Sequence, residues 1–218
     1  MLYDRLSKLA TAASVSVMFF SLMWLQPQLL ALSASHFVTG TLAAGLAAAG
    51  ISQLLVNSLL WLFGKYQPLR KVILGKTFLE GTWVGCYVQE NQQRFTLEHI
   101  DQTSGTTVIR GREFDSTGKT RASWSSDTVS IDIVRMQLVY AYTCKVFDRK
   151  HVQEGLGVFA IVCELPGEPA RKLDGYAVDL TDGDRDPNTE HKISDTETTE
   201  TTDEFAFSKA REIFNALA

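Results

Sequence analysis

The order of apolar and polar residues divides the chain into two halves of different period. From Leu9 to Gly64 there is no Lys, Arg, Asp or Glu, a run of 56 residues. Within it Leu9–Leu32 and Phe37–Phe63 are almost wholly apolar, each long enough for the roughly 20 residues of a bilayer-spanning helix. A transmembrane hairpin over residues 1–64 is therefore predicted. After a basic connector, residues 65–77 with Lys65, Arg70, Lys71 and Lys76, the period shortens to two.

Alternating runs then predict strands at Gly81–Gln89, Phe95–Gln102, Thr106–Phe114, Thr120–Ser126, Thr128–Val134, Leu138–Phe147, Gly155–Glu164 and Leu173–Leu180. Turn-forming stretches separate them, such as Thr103-Ser104-Gly105 and Ser116-Thr117-Gly118-Lys119. Eight strands with no intervening helix indicate an all-β antiparallel domain over residues 78–218. Closure into a small barrel removes its edges, and a sandwich is the other arrangement. The acidic, Thr-rich stretch 182–204 predicts a mobile loop. Apolar positions at Phe207, Ala210, Ile213, Phe214 and Leu217 predict a last short strand through Phe207 followed by a short amphipathic C-terminal helix.

Charge sets the topology and excludes one class of partner. Arg5 and Lys8 precede the first apolar run, the connector's cations follow the second, and the intervening turn has none. Both termini are expected in the cytoplasm, with the chain a multi-pass membrane protein. A cleaved signal peptide ending near Ala31-Leu32-Ser33 is the alternative. Residues 65–218 carry 19 basic and 24 acidic side chains, a net −5. Such a domain lacks the footprint needed to follow DNA or long RNA.

Chemistry-bearing motifs are few. Gly118-Lys119-Thr120 and Gly75-Lys76-Thr77 lack the upstream glycine of a phosphate-binding loop. Asp182, Asp184 and Asp186 have calcium-loop spacing, but Pro187 and Ile193 occupy the positions for Gly and Glu. His99, His151 and His191 are isolated. Neither an enzyme, a metal site nor a cofactor is expected. Cys86, Cys144 and Cys163 match no metal knuckle and read as reduced residues of the domain's core.

Strand aromatics remain. Trp83, Tyr87, Trp124, Tyr140, Tyr142 and Tyr176 fill a core or line a pocket in which rings stack on nucleobases while Arg110, Arg112 or Arg121 meets phosphate. Of the three, Arg110 beside Gly111 is the first candidate. In the second apolar run Gly45, Ala49, Gln53 and Asn57 recur every four residues on one helical face. They suit packing within the hairpin or contact between protomers.

Leu79-Glu80-Gly81-Thr82-Trp83-Val84-Gly85, Ile109-Arg110-Gly111-Arg112-Glu113-Phe114-Asp115, Trp124-Ser125-Ser126, Leu138-Val139-Tyr140-Ala141-Tyr142, Gly155-Leu156-Gly157 and Leu173-Asp174-Gly175-Tyr176 follow in that order behind the membrane block. Taken together they resemble the two-transmembrane β-barrel effectors of bacterial CBASS antiphage defence. That resemblance implies a receptor barrel for a cyclic dinucleotide made by a partner nucleotidyltransferase. Trp83, Tyr87, Arg110, Tyr140, Tyr142 and Tyr176 would be its ligand-binding residues. It further implies homo-oligomers whose gathered spans disrupt the membrane, with the ligand either activating or restraining them. A tethered structural or adaptor barrel and a lipid-binding barrel of lipocalin type are the competing classes.

Overall fold

The computed structural model describes residues 2–89, 91–103, 106–147, 152–180, 183–196 and 203–215. In the first helix it describes the side chains of residues 8, 11–24, 46, 49–51 and 53–65, and in the last those of 204, 205 and 207–215. The chain forms two compact units, Met1–Arg70 and Lys71–Ala218.

The first unit is one helix, α1 (Leu2–Lys65), with the start of a second, α2 (Gln67–Leu74). The predicted hairpin is thus not formed as two helices. The stretch Ser33–Phe37 holds no Gly or Pro to break a helix, and the helical rise carries on through it. Among the described residues no helix is long and apolar enough to cross a membrane. Between α1 and α2, Arg70 Nη1 donates to the carbonyls of Phe63 (3.0 Å) and Gly64 (2.7 Å), serving helix-end acceptors that have no intrahelical partner. Ala49, Gln53 and Asn57 are exposed, and Gln53 Nε2 donates to Asn57 Oδ1 at 3.1 Å. Gly45 lies on the same helix and its surroundings fall outside the described side chains.

The second unit is a closed antiparallel barrel of eight strands joined in sequence order: β1 (Gly81–Gln89), β2 (Gln92–Gln102), β3 (Thr107–Phe114), β4 (Thr120–Asp132), β5 (Gln137–Val146), β6 (Val152–Val162), β7 (Lys172–Asp179) and β8 (Arg185–Ser194). β8 closes on β1 through pairs such as Gly85↔Glu190. Two expectations need correction. The runs Thr120–Ser126 and Thr128–Val134 are one strand, β4, kinked by a register shift between Ser126 and Thr128. The stretch 182–204 is not wholly a loop, since it contains β8. Its inward positions are Asn188, Glu190 and Lys192, all buried, so a strand facing a polar interior carries none of the apolar alternation that marks a strand.

The barrel interior is apolar at one end. Trp83, Ile100, Ile109, Leu138, Phe159 and Leu173 fill it, with Leu79 and Ala170 among the residues packed against them. Gln102 joins this end to the incoming chain. Its amide oxygen accepts from the backbone N–H of Leu79 (2.7 Å) and Glu80 (3.0 Å), and its Nε2 donates to the carbonyl of Thr77 (3.1 Å).

A second core lies outside the barrel. The helix α3 (Asp203–Asn215) covers Val84 of β1, Phe95 and Leu97 of β2 and Phe114 of β3. Phe207 sets its ring edge against Phe95, 5.3 Å between centroids. Phe207 therefore belongs to this helix and not to a strand. On β2 the usual alternation is turned inside out: Phe95 and Leu97 face the helix, while Arg94, Thr96 and Glu98 face the lumen.

Candidate functional site

The other half of the lumen is polar and open. A cavity of about 420 Å³ lies at the end formed by the β1–β2, β3–β4, β5–β6 and β7–β8 connections, away from the end at which the chain enters. This volume falls in the usual range of small-molecule sites.

Three of its rings rest on missing side chains. The strand register pairs Trp124 with Gly111, Tyr140 with Gly157 and Tyr142 with Gly155. Each ring occupies the space over the glycine opposite. A Cβ on Gly111 would come within 2.5 Å of the Trp124 indole nitrogen, and one on Gly157 within 2.6 Å of the Tyr140 ring. A Cβ on Gly155 would meet Tyr142 Cε2 at 2.6 Å. Tyr142 sits between the other two, 6.5 Å from Trp124 and 5.9 Å from Tyr140 between centroids. The cavity wall is therefore a tilted aromatic staircase carried by β4 and β5.

Polar groups face it. Tyr87 donates its hydroxyl to Glu113 Oε2 (2.9 Å), and Arg94 Nε stands 3.7 Å from Glu113 Oε1. Burial, helped by the Glu113 charge, raises the Tyr87 phenol well above its ordinary range, so it stays protonated. Burial also raises Glu113, against the lowering effect of the Tyr87 hydrogen bond and Arg94. At the cavity floor Glu98 Oε1 accepts from Tyr140 Oη (2.8 Å) and Trp124 Nε1 (3.1 Å). Complete burial pushes the Glu98 carboxyl up to about 7 and that of its neighbour Glu190 well above the carboxylate range. Cys144 also lines the cavity, its thiol raised by burial to about 11, and all three cysteines are free and half-buried.

Several of these groups have unused hydrogen-bonding capacity. Arg94 Nε, Thr96 Oγ1 and Asn188 Oδ1 are buried without a hydrogen-bond partner among the described residues, Arg94 Nε having only its 3.7 Å ion pair with Glu113, and all three residues line the cavity. Buried polar atoms are ordinarily satisfied, so the three mark where a ligand or water completes the site. Arg94 and Arg121 also line a shallower depression between the β1–β2 and β3–β4 connections.

The residues expected to bind ligand divide accordingly. Tyr87, Tyr140 and Tyr142 converge on the cavity. Trp83 does not: it is fully buried in the apolar end, its Nε1 donating to the Leu79 carbonyl at 2.7 Å. Arg110 is on the outer surface in an ion pair with Asp101 at 2.6 Å, because its neighbour Gly111 is the residue facing inward. Tyr176 is likewise outside, with Arg185 4.8 Å over its ring. Among the described residues the cationic positions at the cavity are Arg94 and Arg121. Strand parity carries the signal for Arg94, since Arg94, Thr96 and Glu98 share the face opposite to Phe95 and Leu97.

No family model, curated protein or solved structure matches the chain.

Proposed function

We propose that the chain is a membrane-anchored receptor whose barrel binds a cyclic dinucleotide, and that binding controls self-association of the N-terminal segment and thereby the integrity of a bacterial inner membrane. The observation that carries this reading is the cavity wall: tilted rings of Trp124, Tyr140 and Tyr142 beside two arginines, with orphaned donors and acceptors between them. Flat rings stack on nucleobases at about 1–3 kcal/mol per base. Arginine meets phosphate in charge-assisted pairs. Carboxylate and amide oxygens such as Glu113 and Asn188 Oδ1 suit the N–H donors of base edges. Anchoring rests on the 56 uncharged residues, more than the roughly 20 that one crossing needs, flanked by cations at both ends. The face formed by Gly45, Ala49, Gln53 and Asn57 supplies small and amide side chains for contact between protomers.

One observation favours a second reading. Glu113, Glu154, Asp179, Asp184 and Asp186 line the cavity alongside two arginines, so among the described residues its acidic groups outnumber its basic ones. Such a wall also suits an organic cation, held by carboxylates and by cation–π contact with the rings. Thermal melting of the full chain against a panel of cyclic dinucleotides and a panel of aromatic and aliphatic amines separates the two. A melting shift with a cyclic dinucleotide alone supports the nucleotide receptor, and one with amines alone replaces it. No shift with either panel returns the barrel to a structural role.

A further inference from the structure

Two carboxyl groups meet inside the barrel with no cation between them. Glu98 on β2 and Glu190 on β8 flank β1 from either side, and both are 1% exposed. Gly85 of β1 leaves the room: a Cβ there would meet Glu190 Cγ at 2.9 Å. Glu98 Oε1 is taken by the donors of Trp124 and Tyr140, and Glu190 Oε1 by Asn188 Nδ2 at 3.0 Å. The remaining oxygen of each has no N–H or O–H donor among the described residues. The two carboxyl groups instead bond to each other.

A bond between two carboxyl groups requires a proton, and two ionised carboxylates in contact do not survive burial without a counter-charge. None of the surrounding strands supplies one. β1 presents Trp83, Gly85 and Tyr87, β3 Gly111 and Glu113, β4 Trp124, β5 Tyr140 and Tyr142, β6 Gly155 and Gly157, and β7 Leu173 and Gly175. The flanking cations are engaged elsewhere, Arg94 beside Glu113 and Lys192 3.0 Å from Asp195. Asp186, further along β8 at the cavity, adds only negative charge.

We propose that Glu98 and Glu190 hold one proton between them and that this proton positions the Trp124 and Tyr140 rings, so that the shape of the cavity, and binding of any ligand seated on those rings, depends on pH. Glu98 is a positioning residue that acts on the ligand through the two rings it anchors. With the proton in place, the pair is a closed hydrogen-bonded unit and Glu98 Oε1 is fixed beneath the rings. A second proton on Glu98 neutralises that carboxylate and weakens the acceptor to which both rings are tied. Burial raises Glu98 to about 7 and Glu190 well above the carboxylate range, so the second proton leaves near neutrality while the shared one is retained.

The inference concerns the cavity of the receptor reading but needs no ligand to be tested, so failure of a nucleotide panel and failure of the shared proton are distinguishable. The full chain labelled with 5-fluorotryptophan is titrated from pH 5.5 to 8.5 by fluorine NMR, with Trp124 assigned by its loss in Trp124→Phe. The Trp124 resonance is expected to titrate with a midpoint near 7, while those of Trp24 and Trp61 stay still. In Glu190→Gln the new amide donates to Glu98, which then stays ionised, and the apparent proton affinity falls at least tenfold. Asp186→Asn, which removes a charge outside the pair, keeps the transition. Infrared difference spectra of the wild type should lose a protonated-carboxyl band with the same midpoint. An unmoved Trp124 resonance, or absence of that band, overturns the proposal without reliance on any variant. An unchanged midpoint in a folded Glu190→Gln overturns it too.

Discussion

Adding one methyl group to the strand opposite Trp124 tests how the cavity wall is built. In Gly111→Ala the new Cβ lies within 2.5 Å of the indole nitrogen and closer still to the six-membered ring. Carbon atoms settle at about 3.5–4.0 Å. The ring must therefore move by about 1 Å or more, and Tyr142 on its far side, 6.5 Å away, restricts the retreat. Overpacking of this kind costs about 1–3 kcal/mol. The displaced indole also gives up its 3.1 Å hydrogen bond to buried Glu98, a further 1–3 kcal/mol or so. The expected destabilisation is about 3 kcal/mol in urea unfolding followed by circular dichroism. The discriminating step is the same substitution in a Trp124→Ala background, where nothing remains for the methyl to strike. There its cost should fall below about 1 kcal/mol, leaving a coupling energy in the range seen for residues in direct contact. Equal costs in the two backgrounds would refute the view that Gly111 is required to seat the ring.

Three other outcomes follow from the same geometry. The Glu98 carboxyl, raised from its ordinary 4.5 to about 7 in the folded chain, favours folding below pH 4.5 and loses that contribution as pH rises through 7, about 3 kcal/mol in all. His191, lowered by burial, works in the opposite direction, so wild type compared with Glu98→Gln in urea unfolding between pH 5 and 8 isolates the effect, and equal slopes would contradict it. Phe207→Ala removes the ring packed on Phe95 and Phe114, and should cost about 2 kcal/mol with faster amide exchange in α3 while the inner strands stay protected. Gln53→Leu with Asn57→Leu should weaken self-association in membranes by roughly 0.6–2 kcal/mol per amide contact and leave the barrel's melting temperature unchanged; an unaltered oligomer distribution would deny that face a role between protomers.

The strands that pack conventionally were legible from the residues alone. β1 is found at its predicted limits and β3 and β5 within a residue of theirs, because turn residues bound them and their alternation is regular. β8 was not legible, since Asn188, Glu190 and Lys192 turn polar side chains to the lumen and the strand reads as a solvated acidic stretch. The tyrosines of the site could be found, because Tyr140 and Tyr142 two apart share a face and that face is the inner one. Their partnership with Gly157 and Gly155 needed the cross-strand register, which no local pattern encodes. Arg110 was the first candidate because Gly111 beside it leaves room for ligand or for backbone packing. The room at Gly111 is filled by Trp124, and the arginine next to it points outward by strand parity.

The most direct measurement is equilibrium binding of a cyclic dinucleotide to the full chain, by calorimetry, in wild type, Arg94→Ala and Arg110→Ala. Arg94 lines the cavity with its Nε buried, 3.7 Å from Glu113 and without a hydrogen-bond partner, whereas Arg110 is on the outer wall paired with Asp101. Loss of a charge-assisted contact of about 1.5–3 kcal/mol should weaken binding by roughly 10- to 150-fold in Arg94→Ala and leave Arg110→Ala within about twofold of wild type. Absence of binding in the wild type, or a loss confined to Arg110→Ala, would contradict a nucleotide site inside the barrel.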